Sequence, residues 1–387
     1  LEERLVAYDA RASIAHAQML NAQGLLSDED CEAIEQGLES LAASHAQGEW
    51  RIALEDEDGQ TALERRLTAL IGAAGGRVHL GRSRNDQVLA ALRLYLRDAA
   101  EELARGAETV AAALDALADR QGDVELPGYT HMQQAMPSSV ALWAGGFAAE
   151  LRDDAAGLRA VRRRIDKNPL GSAAGYGTPG LPLDRDATRQ ALDFAEVHGP
   201  VTAVQLSRGK AESQLLFEIA LLMQDLGRFA ADTCLFYTQE FAFVELPDAF
   251  TTGSSIMPQK RNPDVFELLR GRSATAQACL VEALGIVAKL PSGYQRDLQL
   301  LKAPLFRGID LALASTAILA PAIGAMAFVP ERIALDPAIH AAERANALVV
   351  REGIPFREAY RRIGAELRGE APAQDPDAQD DDAGRGA

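Results

Sequence analysis

The sequence predicts an all-α fold in which long central helices pack as a bundle. Three observations predict it. Aromatic residues make up only 5% of the chain while 48% is hydrophobic, with Ala and Leu dominating, a balance that favours helix over strand. Five segments repeat Ala and Leu at three- and four-residue steps over about twenty residues or more, against a usual helix of about eleven. One of them, residues 211–237, is apolar on more than one face, too apolar for a lone surface helix. The simplest arrangement is a helical bundle that continues across subunit boundaries.

In chain order, residues 1–75 read as several amphipathic helices, with Ser27 before Asp28-Glu29-Asp30 as an N-cap and acidic first turn. Gly75-Gly76 ends this region. Residues 77–87 are polar and charged, and helical periodicity resumes over 88–104 and continues to 121. A second long helix is expected over 138–165, closing on Arg162-Arg163-Arg164, cations suited to a helix C-terminus. Helices are also expected over 211–237, 264–288 and 305–326. The Gly-, Pro- and polar-rich stretches 127–137, 166–186, 246–262 and 291–297 read as loops on a rigid scaffold, where function concentrates. Residues 371–387, with Asp380-Asp381-Asp382, read as an acidic disordered tail.

A length of 387 residues is enough for more than one compact unit. The net charge of −17, from 39 basic and 56 acidic residues, argues against nucleic acid as a partner. No uncharged apolar run of about eighteen residues marks a membrane span; the apolar stretch 215–223 is short and holds Glu218. The chain opens on Leu1 with no signal-peptide pattern, so a truncated N-terminus is expected. Cys31, Cys234 and Cys279 lack metal-ligand spacing and read as buried, reduced thiols of a cytoplasmic protein. Six scattered histidines form no metal-binding pair, so neither metal nor cofactor is expected.

The most informative stretch is 252–264, Thr-Gly-Ser-Ser-Ile-Met-Pro-Gln-Lys-Arg-Asn-Pro-Asp. A mobile polar loop that brings Ser254 and Lys260 to one point suits removal of a proton from carbon. Lys260 either stabilises charge developing on a carboxylate or lowers the pKa of a nearby hydroxyl. Glu267 follows on the next helix, within reach of a histidine from another segment. Gly81-Arg82-Ser83-Arg84-Asn85-Asp86-Gln87 precedes a helix and offers an anion site at its N-terminus, or a cap with surface ion pairs. Pro127-Gly128-Tyr129-Thr130-His131 puts a histidine after a Pro-Gly turn, as proton carrier or orienter. Ser292–Lys302 supplies the Tyr294 hydroxyl, the Gln299 amide and the Lys302 cation, sharing a helix face only loosely. Asn168–Gly177 is rich in small residues, which allow close approach to a ligand or another helix.

Together these segments resemble the argininosuccinate lyase family of the aspartase/fumarase superfamily, over roughly residues 5–363. The serine loop carries the superfamily; Gly81–Gln87 and Pro127–His131 point to argininosuccinate lyase within it. The resemblance implies a three-domain, almost all-helical homotetramer with active sites shared between subunits, here divided 1–80, 81–328 and 329–370 before the tail. It implies reversible cleavage of argininosuccinate to arginine and fumarate without metal or organic cofactor. By position, Ser254 matches the catalytic serine and His131 the acid/base histidine, with Lys260, Asn262 and Glu267 around substrate and histidine. Ser83, Arg84, Asn85, Thr130, Tyr294, Gln299 and Lys302 match substrate-binding positions, and Asp9 and Arg208 are weaker matches. Two departures stand out: Gln60 occupies a position where the family usually has histidine, and the family's N-terminal segment with a substrate-binding serine is absent. They leave open a catalytically silent homologue, as among lens crystallins, or a lyase releasing fumarate from another succinyl-amine.

Overall fold

The computed structural model describes residues 1–370; the tail expected at 371–387 lies outside them. The chain opens with a 3-10 turn, Glu2–Leu5, followed by α1 (Val6–Ala22), α2 (Asp28–Ala46), α3 (Gly59–Ile71) and the short α4 (Ala73–Arg77). Ser27 caps α2 by accepting the Asp30 N–H, as its sequence predicts. Asp58 caps α3 in the same way through Thr61. Leu20, Ile34, Leu38, Leu63 and Leu67 form the core of this N-terminal region.

The centre is built on α5 (Arg84–Gln121), a single helix of 38 residues. It leads into an antiparallel hairpin, β1 (Glu125–Thr130) and β2 (Gln133–Ser139), and returns through α6 (Val140–Ala160) and α7 (Arg162–Ile165). Next come β3 (Lys167–Asn168), α8 (Arg185–Ala191), β4 (Glu196–Val197) and α9 (Val201–Leu206), with β3 and β4 paired in parallel. The bundle is completed by α10 (Lys210–Phe236), α11 (Asp264–Val287) and α12 (Lys302–Ala325). Two short pairs lie at its edge: β5 (Val244–Glu245) pairs with β8 (Ala327–Phe328), and β6 (Thr252–Gly253) with β7 (Arg261–Asn262). The last helices, α13 (Ala341–Glu352) and α14 (Phe356–Leu367), share a small core of Ala345, Leu348, Ala359 and Ile363.

The bundle core is continuous, from Leu103 and Leu114 on α5 through Leu158, Leu215, Met223 and Phe266 to Ile309 and Leu319 on α12. Each such side chain contributes about 1.5–3 kcal/mol by leaving water. Gly308 lets α12 approach α10 closely, since a Cβ there would sit 2.5 Å from Leu216 Cδ2. By length and a mean hydropathy of 1.6 the segment Arg296–Ala325 meets the test for a membrane-crossing helix. It is instead packed against α5, α10 and α11, and Arg307 and Asp310 on it are ion-paired.

Three sequence expectations change. Residues 127–137 are not a loop but most of a β-hairpin, because Pro127 and Pro137 sit opposite each other where the pairing tolerates a missing donor. The helix expected at 138–165 begins at Val140, since Ser138 and Ser139 finish β2, and it is interrupted at Val161. Arg84–Gln87 are helical rather than part of a polar lead-in, because Ser83 and Asp86 form a capping box that starts α5 early. The stretch 246–262 keeps its loop character apart from a 3-10 turn, Asp248–Phe250, and the two-residue strands β6 and β7.

Candidate active site

The start of α5 is a corner held by buried polar groups. Ser83 is the N-cap, and its backbone N–H donates to Asp86 Oδ1 at 2.9 Å. Asp86, fully buried, also takes the N–H groups of Gly171 (3.0 Å) and Ala173 (2.9 Å) through Oδ2. The small-residue stretch 168–177 is thereby pinned to the helix start. Asp9 on α1 is 1% exposed and accepts from Gln87 Nε2 at 2.8 Å, Gln60 Nε2 at 3.2 Å and the Ser13 hydroxyl at 3.3 Å. Ser13 accepts in turn from Arg82 Nη1 at 2.8 Å. Burial raises the Asp9 carboxyl above its ordinary range, opposed chiefly by Arg82. Gln60 is thus a neutral amide donor to a buried carboxylate. The segment 81–87 divides by face: Arg82, Asp86 and Gln87 are buried, while Arg84 is exposed and Ser83 and Asn85 are half-buried. Arg84 Nη1 reaches Asp58 Oδ2 at 3.3 Å, and the Asn85 side chain makes no hydrogen bond among the described residues.

A second group adjoins this corner. The sequence suggested that Tyr294, Gln299 and Lys302 share a face only loosely; the structure links them. Gln299 Nε2 donates to the Tyr294 hydroxyl at 3.0 Å, and Lys302 Nζ donates to Gln299 Oε1 at 2.9 Å. The 3-10 turn Arg296–Leu301 leads directly into α12, so residues three apart nearly eclipse. Arg208 lies near Tyr294, buried, with Glu212 Oε1 at 3.8 Å from its Nε and no hydrogen bond to its guanidinium among the described residues. Asp9 and Arg208 are both shut from solvent in the single chain.

The opposite end of the bundle carries the other candidates. Thr130 pairs with Gln133, leaving His131-Met132 as a two-residue turn with φ of 52° and 62°. Both centres in the left-handed region give the I′ geometry that suits hairpin twist, usually filled by Asn or Gly. Holding a histidine there stores strain of the kind found at functional sites. A cleft of about 1060 Å³ is lined by Met132 of this turn, Tyr237, Met257, Lys260, Asn262, Glu267 and Arg270, among others. Ser254 lies on the loop between β6 and β7, and its Oγ accepts from the backbone N–H groups of Ile256 (3.4 Å) and Met257 (3.2 Å). Two donors aimed at one hydroxyl oxygen stabilise negative charge on it. Thr252 bonds Asp264 and Asn262 Nδ2 donates to Thr252 Oγ1 at 3.4 Å, closing the base of this loop. The side chains of His131, Lys260 and Glu267 are exposed and make no hydrogen bond or ion pair among the described residues.

Within one chain the candidates therefore fall into two groups at opposite ends of the long helices. Glu267 is on the first turn of α11 and Tyr294 follows its end; 24 residues span about 36 Å. Arg84 and His131 flank α5, whose 38 residues span about 57 Å. The supporting residues Arg82, Asp86 and Gln87 were quoted in the sequence but not separated from their exposed neighbours; the capping-box spacing of Ser83 and Asp86 is the signal that identifies the inward face.

The chain is similar in sequence and fold to known proteins. The family described as "Lyase" matches residues 1–278. An argininosuccinate lyase of Sorangium cellulosum is 50% identical over 369 residues, 95% of this chain and 85% of that protein. One of Stenotrophomonas maltophilia is 41% identical over 368 residues, covering 94% and 84%. An EDDS lyase variant solved with bound fumarate is 27% identical, with a TM-score of 0.82 over 96% of this chain and 74% of that one. A class II fumarase of Schistosoma mansoni, 18% identical, shares the fold with a TM-score of 0.79 over 95% and 85%. The chain belongs to the argininosuccinate lyase family of the aspartase/fumarase superfamily.

Proposed function

We propose that this chain is a carbon–nitrogen lyase that cleaves argininosuccinate reversibly to L-arginine and fumarate in arginine biosynthesis, at sites shared between the copies of a homotetramer. The observation that carries the shared site is distance. A single substrate molecule cannot bridge about 36 Å between the Lys260–Glu267 cleft and the Tyr294–Lys302 row. Exposed apolar side chains along the bundle, including Phe217 on α10 and Leu268, Val281 and Leu284 on α11, supply surface for other copies to cover. The separate core of α13 and α14 supports a domain at 329–370. The division at 80/81 is less sharp, because Ala12 and Ala15 share a core with Ala90, Leu94 and Phe194, and Leu5 joins the bundle core. The free thiols Cys31, Cys234 and Cys279 favour the cytoplasm.

In the reaction, Ser254 Oγ, its negative charge supported by the Ile256 and Met257 N–H groups, takes the proton from the succinyl carbon next to a carboxylate. The electron pair first spreads onto that carboxylate as an aci-carboxylate, where Lys260 and Asn262 offset the added charge. It then forms the carbon–carbon double bond as the carbon–nitrogen bond breaks. His131, oriented by Glu267 of another copy, gives a proton to the departing guanidine nitrogen. General acid–base help of this kind contributes about 10²–10⁴-fold. Arg84, Asn85, Thr130, Tyr294, Gln299 and Lys302 bind the substrate, with Ser83 starting the helix that carries two of them. Asp9 and Arg208, expected to bind substrate, are buried instead: Asp9 holds Gln60 and Gln87, and Arg208 lies near Tyr294.

Fumarate absorbance after adding argininosuccinate tests the reading. Steady fumarate production is expected; release only from a different succinyl-amine selects another superfamily activity, and none from any selects a silent homologue. Shared sites are tested by mixing Ser254→Ala chains with Gln299→Ala chains after dissociation. Recovered turnover in the hybrids is expected, and none at all means each site is complete within one chain.

A further inference from the structure

Glu2 is the second residue of the chain and carries no role in the assignments above. Its carboxylate nevertheless meets Lys302, whose Nζ it pairs with through Oε1. Lys302 is 3% exposed, and Glu2 is its one carboxylate partner among the described residues. A buried ammonium held only by an amide is strongly disfavoured, so this pairing decides where the cation stays. The other carboxylate oxygen, Oε2, accepts the Gly59 N–H at 2.7 Å. With both oxygens engaged, the carboxylate has no freedom to rotate away.

The turn that carries Glu2 is itself clamped to α12. Arg4 donates to Asp310 through two nitrogens at 2.8 and 2.9 Å, and its guanidinium lies 4.5 Å from the centre of the Phe306 ring. Lys302, Phe306 and Asp310 are four residues apart in succession and form one face of the helix. Glu3 reaches the other way, to His45 and to the Ile52 N–H at 3.0 Å. An ammonium has three donors. Glu2 and Gln299 take two, and the third has no partner among the described residues.

We infer that Glu2 is a positioning residue: it fixes the Lys302 ammonium, and through it the Gln299–Tyr294 chain, so that one Lys302 N–H faces the bound substrate. The inference rests on the reading of Lys302 as a substrate-binding residue. Through Gly59, Glu2 also ties this row to the start of α3, where Asp58 holds Arg84, so residues from three distant segments form one wall.

The test is steady-state kinetics on the full chain carrying Glu2→Gln, Glu2→Asp, Lys302→Met and the Glu2→Gln/Lys302→Met pair. Glutamine keeps the shape and can still accept the Gly59 N–H, so folding is retained, as circular dichroism and the size of the assembly check. Glu2→Gln is expected to raise KM about tenfold, the scale of one lost charge-assisted hydrogen bond, with kcat little changed. Glu2→Asp is expected to recover part of the loss, and the double variant to match Lys302→Met alone. If Lys302→Met raises KM and Glu2→Gln does not, the positioning role is wrong. If Lys302→Met itself leaves KM unchanged, the underlying assignment of Lys302 fails instead.

Discussion

At the start of α5, Asp9, Gln60, Asp86 and Gln87 are buried and hydrogen-bonded, whereas at the hairpin end His131, Lys260 and Glu267 stand exposed without partners among the described residues. The first region spends its polar groups on holding backbone segments together. The second leaves its titratable groups free and fixes only their supports, through the β6–β7 pair and the strained His131-Met132 turn. Bonded, buried polar groups and unpartnered titratable ones are thus at opposite ends of the same helices. Changes at the corner should therefore alter stability, and changes at the loop should alter turnover.

The largest expected effect breaks the comparison at its reactive side. Ser254→Ala should lower kcat about 10³-fold while the melting temperature and assembly size stay at the parent values. A parent-level rate would remove Ser254 from the role of base. At the corner, Asp86→Ala strands the Ser83, Gly171 and Ala173 N–H groups and should cost about 3 kcal/mol in denaturant unfolding. An unchanged unfolding midpoint would show that the corner is held by something other than Asp86.

A third expectation concerns acid groups on the bundle between the two ends. Asp154 is 9% exposed, its Oδ2 has no hydrogen-bond partner among the described residues, and its pKa is raised to about 7 by burial and then by Asp225, Asp153, Glu150 and Glu218. The unfolded carboxyl titrates near 3.9, so the folded state holds its proton more tightly and loses stability as pH rises from about 4 to about 7. Asp154→Asn removes that loss. It should leave stability unchanged at pH 4 and raise it on the order of 2 kcal/mol above pH 7, as thermal melts at both pH values will show. The smallest effect is at Gln60. Gln60→Leu takes one donor from Asp9 and should cost about 1 kcal/mol, with KM and kcat near the parent values; a large fall in kcat would move Gln60 from the scaffold into the chemistry.

Much of this was legible in the residues. Helices α10, α11 and α12 lie within three residues of the spans expected from Ala and Leu periodicity, because bundle burial follows that period directly. Ser27 announced its cap. The hairpin was not legible: Pro127, Gly128 and Pro137 are breakers by type, and no alternation of apolar residues marks the strands. Nor was the inward turn of Arg82 and Asp86, since charged residues are rarely buried and only partners distant in sequence make it affordable. Tyr294, Gln299 and Lys302 read as sharing a helix face only loosely because Tyr294 is five residues before Gln299; it precedes the turn Arg296–Leu301, and its long side chain brings the hydroxyl to Gln299.

The 24 residues of α11 hold Glu267 and Tyr294 apart within one chain. If the groups that do the chemistry and those that grip the substrate meet only between chains, catalysis obeys mass action in the protein itself. Specific activity should then decline on dilution once copies separate, and a substrate that bridges them should resist that decline by acting as glue.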